Sequence, residues 1–523
     1  QLPEKEEQKL VKALQEIAEP VRLNRVGAGE DDVMWKETRL ILMDSAFSFS
    51  LRADQFDDDN GMLERDWYKL RVAFLRFFVA MLREYKKYVV TKNQKNVNSN
   101  WTREHMDILK VAAKDERDNI KLGLSRISKV LQELNHPCEN VPAIQIVGTN
   151  GKNSTIQACY SILKEAAIKC NVYTSPHIQK INERFVFNNQ QLGDDELASL
   201  FEEVERVNAN NPITFFEILT ACYFYKAAQC PDNLNLIEAG LFHRFDATNI
   251  LKNNLASIVT SISKDHLDWL PENERTIDKI IFEKTSNLLN SNIIVAKQYP
   301  ISTLEKIKKT IHQNKSNKYF FNDDFSFSNG ENEFFYYEDK FGGLKLPKPN
   351  VLGQFQQENI STAIATLRIL DLGIEDHHIK KGIQKIDNIA RLQKIESGKL
   401  KDLVKDNLFL ISGDHNEDGA RVLNEYLKSL DCKKHVIIGM MDNKEHEKYI
   451  KHFKDIASIT TVDIKNQPNA ISGIKLKEKF KNMPNVSYKK SIEDAIKSIN
   501  LNQGDLLLIT GSLYLCSEVL NLN

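Results

Sequence analysis

No two of the seven cysteines form a C-x-x-C pair; they stand apart at 138, 159, 170, 222, 230, 432 and 516. That spacing argues against a zinc site and a disulfide framework, and fits a reducing compartment. No run of about 18 apolar residues occurs, so no segment reads as a membrane span. Neither sign of charge is in excess. With 71 Lys and Arg against 72 Asp and Glu, the net charge is −1, and the electrostatic signature of a nucleic-acid or anionic-membrane partner is missing. The first segment is acidic and amphipathic, which is not the pattern of a secretory signal. Because the chain opens on Gln1, a start residue is expected to be missing or processed. The acidic run "DQFDDDNG" (54–61) lacks the EF-hand order of Gly at the sixth place and Glu at the twelfth, and reads as a solvated loop.

What is present is an ordinary globular composition, 41% hydrophobic and 27% charged over 523 residues, enough for about three to four domains. The first 90 residues hold eight arginines and two asparagines, whereas the other 433 hold ten arginines and are dense in Lys and Asn. That shift predicts a separate N-terminal unit, a mainly helical extension over 1–92. Within it, 64–90 carries Val72, Leu75, Phe78, Val79 and Leu82 on one stripe and reads as a long helix. The polar stretch 91–100 lacks periodicity and falls in a linker placed at 93–112. Beyond it, strand-like runs alternate with helical patterns: "PAIQIVG", "LNLIEAG", "ASIVTSI", "NIIVA", "LFLIS", "HVIIGM" and "LLLITG". Such alternation predicts an α/β fold with parallel sheets, here divided into a larger domain over 113–388 and a smaller one over 392–523.

In parallel α/β sheets, ligands sit beyond the carboxyl ends of the strands. The residues there are a glycine loop (Gly148-Thr149-Asn150-Gly151-Lys152-Asn153-Ser154), Ser175-Pro176-His177, Glu238, Lys264-Asp265-His266, Gly413-Asp414-His415-Asn416 and Gly511-Ser512. The glycine loop has the order of a phosphate cradle: strand, glycines, lysine, hydroxyl, helix. Its spacing is not G-x-x-x-x-G-K-[ST], because Ile146 stands where a glycine is needed and Asn153 follows the lysine.

The runs "VGTNGKNST", "YTSPHIQKINERF", "TFFEILTA", "EAGLFHRFDATN", "TSISKDHLDWL", "FEKTSNL", "LGQFQQEN", "ARLQKI", "SGDHNEDGARVL", "GMMDNKE" and "TGSLYL" together resemble the folylpolyglutamate synthase and dihydrofolate synthase family, over residues 115–523. The glycine loop is the shortened form shared with the Mur ligases. The resemblance implies a P-loop-type, mostly parallel ATPase domain followed by a Rossmann-like ligase domain. It implies an enzyme that uses ATP and Mg²⁺ to add L-glutamate to dihydropteroate, tetrahydrofolate or both through an acyl phosphate. On its pattern, Gly148, Thr149, Asn150, Gly151, Lys152, Asn153, Ser154, Asn359, Arg391, Ser412 and Asp414 fall at the nucleotide. Ser175, Glu238 and His266 fall at magnesium. Lys284 matches a lysine that is carbamylated and could hold a second Mg²⁺. Lys152, Lys284 and His415 fall at the chemistry, with Asn416 beside His415. Thr214, Phe215, Phe216, Glu217, Phe245, Asp246 and Ala247 fall at the pterin substrate. Gln356 and Asn359, three apart, are expected on one helix face. No nucleic-acid or membrane partner is implied. The expected state is a monomer in the cytoplasm, or in an organellar matrix if the true N-terminus extends further. Residues 1–90 resemble, on one helix, the closing helical part of DENN modules.

The chain departs from that pattern at four places. Asn153 replaces a glycine, where a tighter loop or strained backbone is expected. Phe242-His243 replaces Gly-Gly, which is expected to put two bulky side chains beside the folate pocket. Ser412 replaces an aspartate, and Asp414 stands two residues later, on the same side if the strand end stays extended. These departures leave open a same-fold ligase for another acid and amino acid, such as a cell-wall precursor, and a non-catalytic interaction protein.

Overall fold

A computed structural model describes residues 123–523, apart from 140, 210, 212, 331–333, 482 and 484. The helical extension expected over 1–92, its helix over 64–90 and the linker over 93–112 lie outside the described residues.

The larger sheet contains β1 (Ala143–Val147), β2 (Cys170–Tyr173), β3 (Phe185–Phe187), β4 (Gln190–Gln191), β5 (Leu234–Glu238), β6 (Ala256–Val259), β7 (Asn292–Val295) and β8 (Asn317–Phe320). Their spatial order is β4-β3-β2-β5-β1-β6-β7-β8. The six strands from β2 to β8 run parallel, while β3 and β4 form an antiparallel edge. Every residue of β1 and β5 is buried, as expected for central parallel strands covered on both faces. β1 lies between β5 and β6: the connection from β1 runs across β5 to β2, whereas that from β5 runs the other way, across β1 to β6. A crevice opens at such a switch point, above the strands' carboxyl ends.

On one face, the helix Lys152–Glu165 packs against the helices Gln354–Ile369 and Asp376–Gly382. Ile156, Ile162, Ile360, Ile364, Ile379 and Ile383 share that core. Truncating one of these isoleucines to alanine costs about 2–5 kcal/mol. A three-stranded antiparallel sheet, β9 (Phe325–Asn329), β10 (Phe334–Asp339) and β11 (Leu344–Pro347), adds to it. Along β10, Phe335 and Tyr337 point into the core while Phe334 and Tyr336 face solvent, the two-residue period of a strand covered on one face.

The second sheet holds β12 (Arg391–Lys394), β13 (Leu408–Ser412), β14 (Lys434–Ile438), β15 (Ser458–Val462), β16 (Val486–Lys489) and β17 (Leu506–Thr510), in the order β12-β13-β17-β14-β15-β16. Only β12 is antiparallel. Phe409, Ile411, Leu507 and Ile509 fill the core on one face, and Leu410, Leu506 and Leu508 fill the other. The seven apolar runs read from sequence are β1, β5, β6, β7, β13, β14 and β17.

Candidate functional site

The glycine loop leaves β1 and turns directly into the helix Lys152–Glu165, whose N-cap is Gly151. Gly151 has φ +85°, and a Cβ there would fall 2.5 Å from Asn359 Oδ1. Gly148 has φ +147°, and its Cβ would collide with Thr260 Oγ1. Both glycines are therefore fixed by backbone conformation and close approach. The Thr149 and Asn150 N–H groups donate to Ser261 O at 2.8 and 3.1 Å, tying the loop to the end of β6. Asn359 and Gln356 share a face of the helix Gln354–Ile369, with Asn359 Nδ2 donating to Gln356 Oε1 at 3.1 Å. Ser154 Oγ exchanges hydrogen bonds with the Asn388 side chain at 3.2–3.3 Å.

Asn153 corrects one expectation. It is the second residue of the helix, and it is not among the residues with positive φ. No strain is stored there. Its side chain instead hydrogen-bonds Glu238, which also accepts the Ser175 N–H at Oε2 (3.1 Å) and faces Lys152 at 3.9 Å. Burial pushes the Glu238 carboxyl up, against the pull of Lys152 and these donors. The amide at 153 thus reaches a strand-end carboxylate, which glycine could not.

Lys152 and Lys284 converge on a single carbonyl. Lys152 Nζ donates to Gly148 O and Thr149 O at 3.3 Å each. Lys284 Nζ donates to Gly148 O at 2.8 Å and Leu241 O at 2.9 Å. Lys284 is buried in the last turn of the helix Ile277–Thr285. Burial first, and the charge of Lys152 second, lower its pKa to about 7. His266 sits at φ +56° after β6, and burial holds its imidazole at about 3, neutral at physiological pH.

Asp265 was passed over in the sequence in favour of its neighbour His266. It accepts Lys444 Nζ at 2.7 Å (Oδ1) and Asn416 Nδ2 at 3.2 Å (Oδ2), and His415 Nε2 lies 3.3 Å from Oδ2. All three partners follow strands of the second sheet. Burial alone would raise the Asp265 pKa, but His266, His415 and Lys444 together hold it well below the carboxylate range. A second carboxylate, Asp418, accepts Asn150 Nδ2 and Ser261 Oγ, both at 3.2 Å, and pairs with Arg421. Asn150 and Asn416 bond reciprocally through their amides at 2.9 and 3.1 Å. The "KDH", "GMMDNKE" and "HNED" runs were the available signals for Asp265, Lys444 and Asp418, yet one sequence does not say that they meet.

At the end of β13, Ser412 Oγ donates to Asp414 Oδ2 at 2.5 Å. Arg391, at the start of β12, adds its charge to the fields at both Asp414 and Glu238. The His415 ring binds Gly413 O through Nδ1 at 2.9 Å, which orients the other nitrogen toward Asp265.

On the substrate side, several polar groups are occupied locally. Thr214 and Glu217 form a reciprocal capping box at the start of the helix Phe215–Ala227, and Arg126 also bonds Glu217. Asp246 accepts the N–H groups of Gly240, Leu241 and Thr248 and the Thr248 hydroxyl, and Ala247 beside it is buried. Phe215 and Phe216 are half-buried, and Phe245 is exposed with the Arg244 guanidinium 4.1 Å from its ring centroid. Phe242 and His243 overturn the expectation of bulk beside this pocket. Phe242 packs with Val147, Val259 and Ile280 in the core, and His243 is 0% exposed.

Among the described residues, no three His, Cys, Asp or Glu side chains gather into a metal cluster. Ser175, Glu238 and His266 offer one hydroxyl, one carboxylate and one neutral imidazole. All seven cysteines are free.

Comparison with known proteins adds four findings. The model of the Mur ligase family's glutamate ligase domain matches residues 391–513. The chain is 31% identical over 339 residues to the dihydrofolate synthase/folylpolyglutamate synthase of Escherichia coli (strain K12), across 62% of this chain and 74% of that protein. It is 27% identical over 420 residues to the protein of the same name from Bacillus subtilis (strain 168), across 76% and 94%. Among solved structures, Escherichia coli FolC in complex with DHPP and ADP superposes with a TM-score of 0.70 at 25% identity, covering 80% of this chain and 96% of that one.

Proposed function

From the premise that the chain belongs to the dihydrofolate synthase/folylpolyglutamate synthase family, we infer that it is an ATP-dependent ligase joining the amine of L-glutamate to the carboxyl group of a folate-type acid. The observation that carries this reading is the pairing of the loop 148–154 at the switch point with two lysines on the Gly148 carbonyl and Glu238 beside them.

A carboxylate resists attack by an amine because it has no competent leaving group. Transfer of the γ-phosphoryl group of ATP supplies one, as an acyl phosphate, and the glutamate amine then displaces phosphate. The protein must position three reactants and neutralise charge. The loop N–H groups from Gly151 onward and the following helix N-terminus suit the phosphates. The two bonds of Lys152 to its own loop are long, so a phosphate oxygen can replace them at little cost. Asn359 and Arg391 are assigned to the nucleotide on either side of the crevice, with Ser412 and Asp414 at the ribose. His415, turned by Gly413 O, is assigned to the reacting groups.

Magnesium keeps water and phosphate ligands and needs one or two carboxylates rather than a protein cage. Glu238 with Ser175 and His266 fits that demand, and the metal supplies charge neutralisation on the phosphates. Lys284, buried with a pKa of about 7, carries a neutral amine in useful amount at physiological pH. That state is open to CO₂, and a carbamate there turns a cation into an anion suited to a second metal ion. Phe215, Phe216 and Phe245 are assigned to the flat face of the acid substrate. The two domains are assigned to 113–388 and 392–523, with Arg391 at the hinge, and closure on ATP would assemble the site. A cytoplasmic monomer is proposed. No helix among the described residues is long and apolar enough to cross a membrane.

The test is phosphate release from Mg-ATP with glutamate and either dihydropteroate or tetrahydrofolate. Release dependent on one or both acids supports the reading and assigns the acceptor. No release with either defeats it.

A further inference from the structure

Arg184 is a buried cation that the mechanism above does not use. It ends the short helical turn Ile181–Arg184 ahead of β3 and is 7% exposed. Nε donates to His177 Nδ1 at 2.9 Å, a nitrogen that accepts and carries no charge. Its Cζ lies 5.9 Å from the Phe215 ring centroid. Among the described residues no carboxylate pairs with this guanidinium, and neither Nη has a hydrogen-bond partner. Nor are the Nη atoms sealed in, as the unpartnered ring nitrogens of His243 are. Arg126, Arg244, Arg368 and Arg421 differ, because each holds a carboxylate. A buried charge without a counter-charge is costly. A fork kept in that state is suited to an anion that arrives from solution.

Direct contacts put Arg184 beside the crevice. His177 stands two residues after Ser175, whose N–H binds the Glu238 carboxylate at 3.1 Å. Glu183 accepts the N–H groups of Ile178, Gln179 and Lys180 at 2.7–2.8 Å and so fixes the loop that follows His177. Ile178 packs against a core of the second sheet. Gln179 Nε2 donates to Asn521 Oδ1 at 3.2 Å, in the last helix, Leu513–Leu522. The loop joined to Arg184 thus runs from Glu238 to the second domain.

The residues assigned above serve ATP, the metal, the acid and the reacting groups. The two carboxylates of glutamate have no partner among them. We propose that Arg184 binds a carboxylate of the incoming L-glutamate and helps to select that amino acid. The inference rests on the ligase reading given above. The free edge of the guanidinium offers two parallel N–H donors, which match one carboxylate. The reacting carboxylate of the acid is a poorer occupant. Its oxygen must attack phosphorus, and a guanidinium fork would hold the lone pair that attacks. Neither carboxylate of glutamate makes or breaks a bond, so either can stay clamped while the amine reacts.

The experiment uses the full chain, Mg-ATP and the acid that supports phosphate release. The nucleophile is either L-glutamate or hydroxylamine, which traps an acyl phosphate as a hydroxamate and carries no carboxylate. Arg184→Gln is expected to raise KM for glutamate about 30-fold or more. Its KM for the acid and its hydroxamate rate should stay within about threefold of wild type. Arg184→Lys keeps the charge without the fork and should raise KM for glutamate less. It carries the test if circular dichroism shows that Arg184→Gln does not fold. L-Glutamine and glutamate α-methyl ester tell the two carboxylates apart: loss of discrimination against either one in the variant supports the proposal. An unchanged KM for glutamate in the folded variants overturns it. So does a hydroxamate rate that falls in step with glutamate ligation, which would put Arg184 on the acid or in the scaffold. A wild type that releases no phosphate with either nucleophile overturns the ligase reading itself.

Discussion

Ser412 Oγ donates to Asp414 Oδ2 at 2.5 Å while accepting the Leu392 N–H at 3.1 Å. The serine bridges β12 and β13 and holds the carboxylate two residues away. A carboxylate at a strand end recognises ribose hydroxyls by charge-assisted hydrogen bonds. Asp414→Ala should therefore weaken ATP binding about 10- to 100-fold, the equivalent of ~1.5–3 kcal/mol, and Ser412→Ala by less. 2′-DeoxyATP should bind wild type and Asp414→Ala alike. The double variant Ser412→Asp/Asp414→Ala should restore ATP affinity. Fluorescent-nucleotide displacement measures all four, and unchanged affinity in Asp414→Ala would remove the assignment.

The shared carbonyl of Gly148 separates the two lysines by role. Lys152 is tied by two long bonds to its own loop and lies 3.9 Å from the buried Glu238, so its removal leaves that carboxylate without its cation. Lys152→Ala should lower kcat by about 10²–10³, the range for loss of one charge-stabilising donor, and should also lower the melting temperature. Glu238→Gln should instead raise the divalent-ion concentration needed for half-maximal phosphate release. A Lys152→Ala enzyme of near-normal turnover would exclude the loop from phosphate handling.

Burial of Lys284 makes stability depend on pH in a set direction. Its pKa falls from 10.5 unfolded to about 7 folded. Between those values the unfolded chain binds the extra proton, so stability rises with pH through this window. Below pH 7 both states are protonated and the full penalty remains. Lys284→Met should therefore stabilise the protein by about 1–4 kcal/mol near pH 6.5. The gain should shrink as pH approaches 10, while ligase activity is lost at all pH values. His266 shows the same sign in an acid window. With its pKa lowered from 6.5 to about 3, it contributes stability that is lost as pH falls between those values. Urea unfolding of wild type and Lys284→Met at pH 6.5 and 9 checks the first claim. A gain that grows with pH would contradict it.

The strands of both sheets were legible because a parallel strand buried on both faces is a short unbroken apolar run, and each run ended in polar residues. Thr214-Phe215-Phe216-Glu217 was legible as a capping box from its T-x-x-E spacing, yet it was read only as a substrate site. The fate of Phe242 and His243 was not legible. Whether a side chain after β5 turns to the pocket or to the core depends on how the chain folds over Glu283, 40 residues away. Asn153 misled for a related reason: glycine in the resembling loop suggested a special φ, whereas helical backbone accepts any residue, and the side chain found Glu238. Asp265 was hidden because its three partners lie 150 to 179 residues further on, and no local period encodes a meeting between two sheets.

That meeting yields the last prediction. Lys444 and Asp265 are 13% and 7% exposed at 2.7 Å, in a network with His415 and Asn416. Removing one member of a nearly buried pair leaves the other charge without water or partner, which typically costs about 3–5 kcal/mol. Replacing both by apolar groups avoids that penalty. Lys444→Met and Asp265→Leu should each destabilise markedly, and the double variant should be more stable than the sum of the two losses by about 0.5–3 kcal/mol. Denaturant unfolding of the four proteins gives the coupling. Asp265→Asn should be milder in stability, because the amide oxygen still accepts Lys444. It should still disturb activity, because the field on His415 and His266 changes. Additive losses in the cycle would show that the pair carries no coupling, and that the two sheets are joined at the Asp418 and Asn150–Asn416 contacts instead.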